Sequence, residues 1–285
     1  MTKYKALAVT TSYWKPGDSY LDQITIALDG KVVDGDFVVV SEKALSTARG
    51  NIVDESRMKP NFNARFIGDF WMRIMWGYPL GVLCDFGQRL LHRLREYPIE
   101  SGSRHKQMAL EQAGFLQAIM FGSEGGIDGS NLPFSFVSLP LKNASEVAEE
   151  IQRWIQLRLK KNVCVIVADT DKTYRFRNFF FTPRPSPMKG IQSFGGVFAY
   201  VAGRTLRLRR SSTPLAVTGC RVQAEQALSI TNIADRARGP GSGATVWDMA
   251  ARFHVDVNEV TWGMLSRIKH KPLVIVRGRA FAEGS

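Results

Sequence analysis

An apolar run that ends in an acidic motif constrains the fold of this chain more than any other feature. Residues 163–168 form a short apolar run, which is typical of a buried strand. Asp169, Thr170, Asp171 and Lys172 follow it directly. The preceding residues 143–161 begin with capping and acidic residues and end with basic ones, which predicts a helix. A helix followed by a buried strand places Asp169 at the carboxyl edge of a sheet, where α/β enzymes commonly bind metals and phosphates.

A second acidic motif lies about forty residues earlier. Residues 125–131 read Gly-Gly-Ile-Asp-Gly-Ser-Asn, so Asp128 sits in a glycine-rich turn whose backbone can approach a ligand closely. Carboxylates on two loops, with Lys and Arg nearby, suit Mg²⁺ or Mn²⁺ that bridges a nucleotide polyphosphate. We therefore expect Asp128 and Asp169 to lie close together and to bind a divalent cation. Two unrelated aspartates in turns would give the same spacing, and that alternative stays open.

Several ordered motifs resemble the γ-glutamyl ligases that act on coenzyme F-420. The similar stretches are 34–43 with 46–50, 125–133, 169–177 and 272–278. The first is similar to the family's N-terminal signature and the second to its Ala-Gly-Val-Asp-x-Ser-Asn segment. The third resembles its Asp-Thr-x-Gly-Arg-x-x-Arg motif, and the fourth its last strand. The resemblance thus touches both ends and the middle of the chain, with extra length around residues 55–110 and 239–265.

The resemblance implies a fold, a reaction and partners. The family has an α+β fold, a mixed α/β arrangement with two intertwined lobes, and works as a homodimer; here one catalytic domain would cover residues 1–285. Its members use GTP with Mg²⁺ or Mn²⁺ to join L-glutamate to a phosphorylated acid acceptor. The acid is activated as an acyl phosphate, so catalysis rests on positioning and on charge neutralisation. An ATP-dependent version stays open.

Roles are carried over position by position. Asp128 and Asp169 match the catalytic, metal-binding carboxylates, and Thr170 matches a further metal contact. The glycine-rich loop 239–243 has a composition that can wrap phosphates. The predicted nucleotide and phosphate contacts are Tyr13, Trp14, Glu42, Lys43, Asn131, Lys172, Arg175, Arg177, Gly239, Gly241 and Gly243.

The chain also departs from the family pattern. Thr47 stands where the family has a lysine, and Asp171, Lys172 and Thr173 replace an aromatic residue and Gly-Arg. A metal-binding glutamine of the family is replaced within residues 239–241. These departures leave open a paralogue that ligates another amine or another acceptor acid.

The net charge of +12, from 38 Lys and Arg against 26 Asp and Glu, favours a polyanionic partner. The densest cluster, Arg204–Arg210, alternates Arg with Leu and is predicted as a half-buried strand with one basic face. It is either a solvated edge or a polyanion-binding rim. A polyanion- or RNA-binding protein on a ligase-derived scaffold is therefore an alternative, although no RNA-recognition motif with paired aromatics is visible. A further alternative is a phosphoryl-transfer enzyme that lacks a P-loop.

The cysteines and the apolar segments predict a cytoplasmic protein. Cys84, Cys164 and Cys220 are far apart among apolar neighbours, which favours buried, reduced thiols. No signal peptide is visible. The apolar stretch 66–91 is interrupted by charges, and its uninterrupted apolar run, residues 74–84, is too short to span a bilayer. We therefore predict a helix pair that turns at residues 77–79 and no membrane partner. Its aromatic residues between positions 66 and 86 are the expected dimer interface.

Overall fold

A mixed seven-stranded sheet forms the centre of the part of the chain that the computed structural model describes, residues 3–122 and 124–279. The strands are β1 (Lys3–Thr11), β2 (Phe37–Ser41), β3 (Ile52–Asp54), β4 (Phe136–Ser138), β5 (Cys164–Phe176), β6 (Phe179–Thr182), β7 (Gln192–Ser193), β8 (Arg209–Thr218) and β9 (His270–Arg279). Strands β3 and β4 form a separate antiparallel pair. The first two and last six residues of the predicted domain lie outside the described residues.

The pairing of the central strands brings two predicted site segments together. The sheet has the order β1-β9-β2-β5-β6-β7, and β8 also pairs with β5. Strands β2 and β5 are parallel, with Ser41 opposite Ala168. The residues that follow β2, Glu42 and Lys43, therefore lie beside Asp169 at one edge of the sheet.

The sequence predicts a strand that ends just before Asp169, but strand β5 runs on past this residue. It continues to Phe176 because β8 supplies an antiparallel partner along its whole length. Asp169 pairs with Thr213 and Lys172 pairs with Ser212, so two extra residues are inserted between them. Such a β-bulge bends the strand and redirects side chains, a feature that is frequent beside active sites. The acidic motif is thus the bulge of a long strand.

Helices cover both faces of the sheet. The helices of the described residues are α1 (Tyr20–Leu28), α2 (Glu42–Ala48), α3 (Phe62–Phe66), α4 (Pro79–Leu83), α5 (Gln88–Arg95), α6 (Ile99–Gln112), α7 (Phe115–Ala118), α8 (Ala144–Leu159), α9 (Val197–Thr205), α10 (Ala224–Arg238), α11 (Val246–Phe253) and α12 (Trp262–Ser266). Val38 and Val40 pack toward α1 and α8, while Val39 packs toward α10. Burial on both faces explains the continuous apolar runs of β2 and β5. The expected α+β class is confirmed.

The helical segment 62–121 has a hydrophobic core of its own. A π-helix, Ile67–Trp76, is followed by α4, so the predicted turn at residues 77–79 is confirmed. Met72 and Trp76 are fully buried there against Leu94. No helix of the described residues is long and apolar enough to cross a membrane.

The prediction of three reduced cysteines is wrong for two of them. Cys164 and Cys220 form a disulfide across a Cα–Cα distance of 5.3 Å, while Cys84 is free and buried. The antiparallel pairing of β5 with β8 places Val165 opposite Thr218, which brings residue 220 beside residue 164. A separation of 56 residues hides this pairing from the sequence.

We expect reduction of this disulfide to lower the free energy of unfolding by roughly 4 kcal/mol, because it closes a long loop in the unfolded chain. Urea denaturation with and without reductant measures the loss. The Cys220→Ser variant is the control, since reductant should change nothing further in it. Equal stability of the oxidised and reduced proteins would contradict a structural role.

The predicted strand from Arg204 to Arg210 is also wrong. Arg204 lies in α9, and Arg207 adopts a left-handed turn with φ 49° before β8 begins at Arg209. Arg204 Nε donates a hydrogen bond to the Cys84 carbonyl at 3.1 Å. The cluster is therefore divided between two elements and does not form one continuous basic strand face.

Candidate active site

Two cavities share a wall at the edge of the sheet where β2 and the β5 bulge meet. One, of about 460 Å³, is called the basic cavity and is lined by the ends of β2 and α10, the loop 239–243 and residues 268–272. The other, of about 300 Å³, is called the aromatic cavity, and its lining residues lie within 55–56, 97–105, 121–122, 124–130, 134–137, 169–171, 244–249 and 257–258. The residues common to both linings are Asp128, Ser130, Thr170 and Ala244.

Asp128 is held at this shared wall by its own loop. Its backbone exchanges hydrogen bonds with Ser138, 3.2 Å from Asp128 N to Ser138 O and 3.0 Å in return. Its Oδ1 accepts from Ser130 N at 2.7 Å, and its Oδ2 accepts from Lys43 Nζ at 2.6 Å. Lys43 also donates to the Ser130 carbonyl at 3.0 Å and hydroxyl at 2.8 Å. The carboxylate is thus fixed in orientation and partly neutralised.

Asp169 is positioned by a buried arginine. The Arg184 side chain is 2% exposed; its Nε lies 3.0 Å from Asp169 Oδ2, and its Nη2 donates to Glu42 Oε1 at 2.6 Å. Its Nη1 donates to the Gly125 carbonyl. A Cβ at position 126 would lie 1.9 Å from Arg184 Nη1, so only glycine fits there. Arg184 therefore ties the β5 bulge to the loop that carries Asp128.

Burial raises the pKa of Glu42 well above its usual range; Arg184 opposes this effect and Asp169 adds to it. The Glu42 carboxylate also accepts a hydrogen bond from Leu141 N at 2.6 Å. Glu42 and Asp169 both face the buried Arg184 guanidinium, and two negative charges so close together disfavour ionisation of both carboxyl groups. The cluster of Glu42, Asp169 and Arg184 thus holds a proton more firmly than isolated carboxylates do.

The donors at the shared wall fit a hard divalent cation that also binds phosphates. Asp128, Asp169 and Thr170 all line the aromatic cavity, and Asp169 is held there by the ion pair of its Oδ2 with Arg184 Nε at 3.0 Å. Mg²⁺ is commonly held by one or two carboxylates together with substrate phosphates and water. Within residues 3–122 and 124–279, no group of three or more His, Cys, Asp or Glu could hold a metal ion. A cation held by Asp128, Asp169 and Thr170 would take its remaining ligands from phosphate oxygens and water.

The basic cavity has a strong excess of positive charge. Its described lining includes Lys43, Lys172, Arg236, Arg238, Lys269 and Lys271, against Asp128 and Asp235. Lys172 Nζ pairs with Asp235 Oδ2 at 3.0 Å. The Nε and Nη2 atoms of Arg238 and the Nε1 atom of Trp14 are buried and have no hydrogen-bond partner among the described residues. Burial lowers the pKa of Arg238, and Asp235 opposes this effect. Donors without partners in a cavity indicate a place for an acceptor-rich ligand.

Asn131 joins the Asp128 loop to the glycine loop 239–243. Its Oδ1 accepts from Ser242 N at 2.7 Å and from Ser242 Oγ at 2.6 Å, and its Nδ2 donates to the Gly243 carbonyl at 3.2 Å. A Cβ at position 241 would lie 2.6 Å from Asn131 Oδ1, which explains the glycine. Tyr13 Oη donates to the Asn131 carbonyl at 2.6 Å. The Asn131 amide thus closes the loop around the cavity.

His270 lies opposite, stacked on Tyr13 with a ring-centroid distance of 4.5 Å. Burial lowers the pKa of His270 to about 4, with Arg238 and Lys43 adding to the effect and the Ser12 carbonyl opposing it. The ring is therefore neutral at pH 7. It gives the basic cavity an aromatic wall without further charge.

We expect the free energy of unfolding to fall by about 1–3 kcal/mol as the pH drops from 6.5 to 4, because unfolded His270 takes up a proton before the folded ring does. Urea denaturation at a series of pH values measures this slope. The His270→Gln variant should lose that part of the slope. An unchanged pH profile in the variant would contradict a neutral, buried ring.

The structure brings most of the predicted contacts together, with three corrections. Glu42 lines neither cavity, because its carboxylate is buried against Arg184. Arg175 and Arg177 also line neither, since the unrecognised hairpin of β5 and β6 carries them away from the site. Arg175 pairs there with Glu225. The predicted residues that line the basic cavity are Tyr13, Trp14, Lys43, Asn131, Lys172, Gly239, Gly241 and Gly243, and Asp128 and Thr170 line both cavities.

Three side chains of the site were not predicted from the sequence. Arg184 lies between two prolines, and nothing in that local pattern indicates a buried ion pair. His270 is the first residue of the last strand, and no metal-ligand spacing in the sequence indicates it. Arg238 directly precedes the glycine loop, and an arginine at that position is the signal that could have identified it.

Comparison of the chain with known proteins gives two similarities. Residues 8–225 match a family model described as F420-0:Gamma-glutamyl ligase. An uncharacterized protein of Methanocaldococcus jannaschii is 34% identical over 291 residues, an alignment that covers 96% of each chain. This second similarity extends beyond the segment that the family model matches and includes the C-terminal part of the basic cavity.

Proposed function

Because the chain belongs to the F420-0:gamma-glutamyl ligase family, we propose that it is a nucleotide- and metal-dependent amide ligase. The observation that carries the proposal is the guanidinium of Arg238, which lines the basic cavity together with Asp128 and Thr170. Its Nε and Nη2 are buried and have no hydrogen-bond partner among the described residues. A buried cationic donor without a partner is costly unless a ligand satisfies it. A nucleotide polyphosphate supplies both the charge and the acceptors.

The proposed reaction has two steps. A carboxylate oxygen of the acid attacks the γ-phosphorus, the bond from that phosphorus to its bridging oxygen breaks, and the nucleoside diphosphate leaves. The nitrogen of an amine then attacks the acyl carbon of the acyl phosphate. The bond between that carbon and the phosphate oxygen breaks, phosphate leaves with the electron pair, and the nitrogen gives up a proton. The protein contributes orientation and neutralisation of charge.

Each part of the site has a role in this reaction. Arg238, Lys172 and Lys43 face the phosphates, and the loop 239–243 offers backbone N–H groups. Trp14 and the stacked Tyr13 ring adjoin the base. Residues that would hold Mg²⁺ or Mn²⁺ are Asp128, Asp169 and Thr170. When bound, this cation supplies charge neutralisation on the phosphate oxygens.

The first form of the proposal is the family reaction, in which GTP drives the ligation of L-glutamate to a phosphorylated acid. The second form is a paralogue that uses another amine or acid. One observation favours the second form: both cations that line the aromatic cavity, Arg104 and His105, are already engaged by glutamates. A polyanionic substrate would find no free cation among the described residues there.

Thermal shifts and calorimetric titrations with GTP and ATP, each with and without Mn²⁺, test the ligase proposal. We expect a metal-dependent rise in melting temperature, because a ligand stabilises the state that it binds. Binding to single-stranded RNA is measured at low and physiological salt in parallel. RNA binding with a steep salt dependence, and no nucleotide binding, would support the polyanion-binding alternative instead.

We extend the proposal to a homodimer that uses the exposed apolar residues of the helical segment. Phe62, Phe66, Phe70 and Ile74 recur every four residues and are 80%, 48%, 44% and 46% exposed. Light scattering at micromolar concentration is expected to give twice the chain mass, and Phe66→Asp is expected to give a monomer. A monomeric wild-type protein would contradict the dimer without affecting the proposed ligase chemistry.

A further inference from the structure

We propose that His105 and Lys106 of α6 are positioning residues of the active site, which fix the loop that carries Asp128 at the shared wall. The inference rests on the ligase activity proposed above, because it assigns both residues to the placement of a carboxylate that would hold the divalent cation. Helix α6 belongs to the extra length around residues 55–110, outside the stretches that resemble the γ-glutamyl ligases.

Four charged side chains of alternating sign lead from the helical segment to the Asp128 loop. Glu55 Oε1 lies 2.5 Å from His105 Nδ1, and His105 Nε2 lies 3.7 Å from Glu124 Oε1. Lys106 Nζ donates to the same Glu124 oxygen at 2.7 Å. Glu124 is the fourth residue before Asp128, so these charges are tied to the beginning of its loop.

Each of these charges is compensated by its neighbours. Burial lowers the pKa of His105, but Glu55 and Glu124 outweigh this effect and raise it to about 10. Burial raises the pKa of Glu124, but Lys106 and His105 outweigh that effect and hold it well below its usual range. His105 is therefore an imidazolium at pH 7, and two cations oppose two carboxylates. None of the four can rotate away without leaving a buried charge unpaired, which is costly.

The turn that leads to Asp128 is held by the helical segment and by the sheet at adjacent positions. Glu124 pairs with Ile127 in an antiparallel bridge, which closes the turn. A Cβ at position 125 would lie 2.8 Å from the Cβ of Ala113, just after α6, and a Cβ at position 126 would collide with the Arg184 guanidinium. Both positions have positive φ, 72° and 96°, which glycine adopts without strain. A displacement of α6 would therefore be transmitted to the turn and to Asp128.

The segment just before the turn is held by the same helices. Residues 119–122 form neither helix nor strand, so their carbonyls need donors from elsewhere. Trp71 Nε1 and Trp76 Nε1 both donate to the Ile119 carbonyl, at 2.7 and 2.8 Å. Lys106 Nζ donates to the Met120 carbonyl at 2.7 Å, in addition to its bond with Glu124. Lys106 thus holds the segment at its backbone and the turn at its first side chain.

Stability alone does not explain why this place is occupied by charges. The Lys106 side chain is 0% exposed and that of Glu124 is 7% exposed. Apolar residues of similar volume are often as stabilising as a buried ion pair, or more so. Glu55, His105 and Glu124 line the aromatic cavity together with Asp128, so the buried charges lie beside the reacting groups. Titratable groups with strongly shifted pKa values at a cavity are typical of functional sites.

The factor by which Mn²⁺ raises nucleotide affinity tests the inference on the full chain. The ligand is the β,γ-imido analogue of GTP or of ATP, whichever the wild type binds more tightly, and calorimetric titration gives its affinity with and without Mn²⁺. In Lys106→Met this factor is expected to fall at least about tenfold, as is usual when a group that orients a metal ligand is lost. The affinity without Mn²⁺ should be unchanged, because Lys106 lines neither cavity.

A double substitution separates positioning from stability. Lys106→Met alone leaves Glu124 without its closest cation and should lower the melting temperature. Adding Glu124→Met removes the second charge and should restore most of the melting temperature. The Mn²⁺ factor should nevertheless stay as low as in the single variant. Lys31→Met is the matched control and should keep the wild-type factor. Lys31 Nζ also donates to a backbone carbonyl, that of Ala27 at 2.7 Å, but this lysine is exposed and lines neither cavity.

The outcomes distinguish this inference from the ligase proposal. A wild-type Mn²⁺ factor in both Lys106 variants would overturn the inference and leave the ligase proposal intact. A factor that falls in Lys106→Met but recovers together with the melting temperature in the double variant would also overturn it, because the effect would then be one of stability. A wild-type protein whose nucleotide affinity does not respond to Mn²⁺ would reject the metal-dependent ligase and the positioning role together.

Discussion

The Asp169→Asn variant is expected to lose about 100- to 1000-fold of nucleotide turnover, the effect that one removed electrostatic group has on transition-state stabilisation. Asparagine keeps the shape of the side chain and removes the charge that a divalent cation and the transferring phosphate require. Release of nucleoside diphosphate, measured with a coupled assay at saturating nucleotide and metal, gives the loss directly.

The same variant should fold at least as well as the wild type. Asp169 raises the pKa of Glu42, and both acids face the Arg184 guanidinium. Removing one of them lets the other pair with arginine alone, so the melting temperature should be unchanged or higher. Active sites often keep such unfavourable arrangements for function. Asp69→Asn, at a surface ion pair with Arg73, is the control and should retain turnover. Near wild-type turnover in well-folded Asp169→Asn would reject the assignment.

Much of the fold was predictable because its signals are local. The helix 144–159, the strand that begins at Cys164 and the helix start after Gly196 follow from capping, charge and apolar periodicity. The continuation of β5 beyond Asp169 was not predictable, because β8 stabilises it from forty residues away. The disulfide between Cys164 and Cys220 was hidden for the same reason.

The residues of the candidate site also differ in whether local sequence signals predict them. Asp128, Lys43 and the loop 239–243 were identified from motifs or composition, because the residues beside them in the sequence determine their backbone conformation. Arg184 was not, because its partners come from three separate segments and only the fold brings them together. Arg175 was placed wrongly, since a hairpin without a glycine turn carries it away. Motif residues were therefore easier to predict than the residues that position them.

The Arg184→Met variant is expected to lose about 3–5 kcal/mol of unfolding free energy, because it leaves Glu42 and Asp169 buried without their cation. The matched control is Arg153→Met, which removes an arginine–glutamate pair of similar length, 2.8 Å to Glu149, from a side chain that is 75% exposed. That pair should contribute about 1 kcal/mol or less. Urea denaturation of both variants at one pH gives the comparison.

The pH dependence and a second substitution identify the cause of this loss. Without the guanidinium, folded Glu42 holds its proton to still higher pH, while unfolded Glu42 releases it near its ordinary pKa of about 4.5. The wild-type protein shows the same proton linkage up to the pKa of about 8 that Glu42 has beside Arg184, so the deficit of Arg184→Met should be constant between these two values and should grow only above about pH 8. Adding Glu42→Gln removes the cost of protonating this buried acid on folding and should restore part of the stability. A deficit as small as that of Arg153→Met, without pH dependence, would show that Arg184 does not hold the two carboxylates in the folded protein.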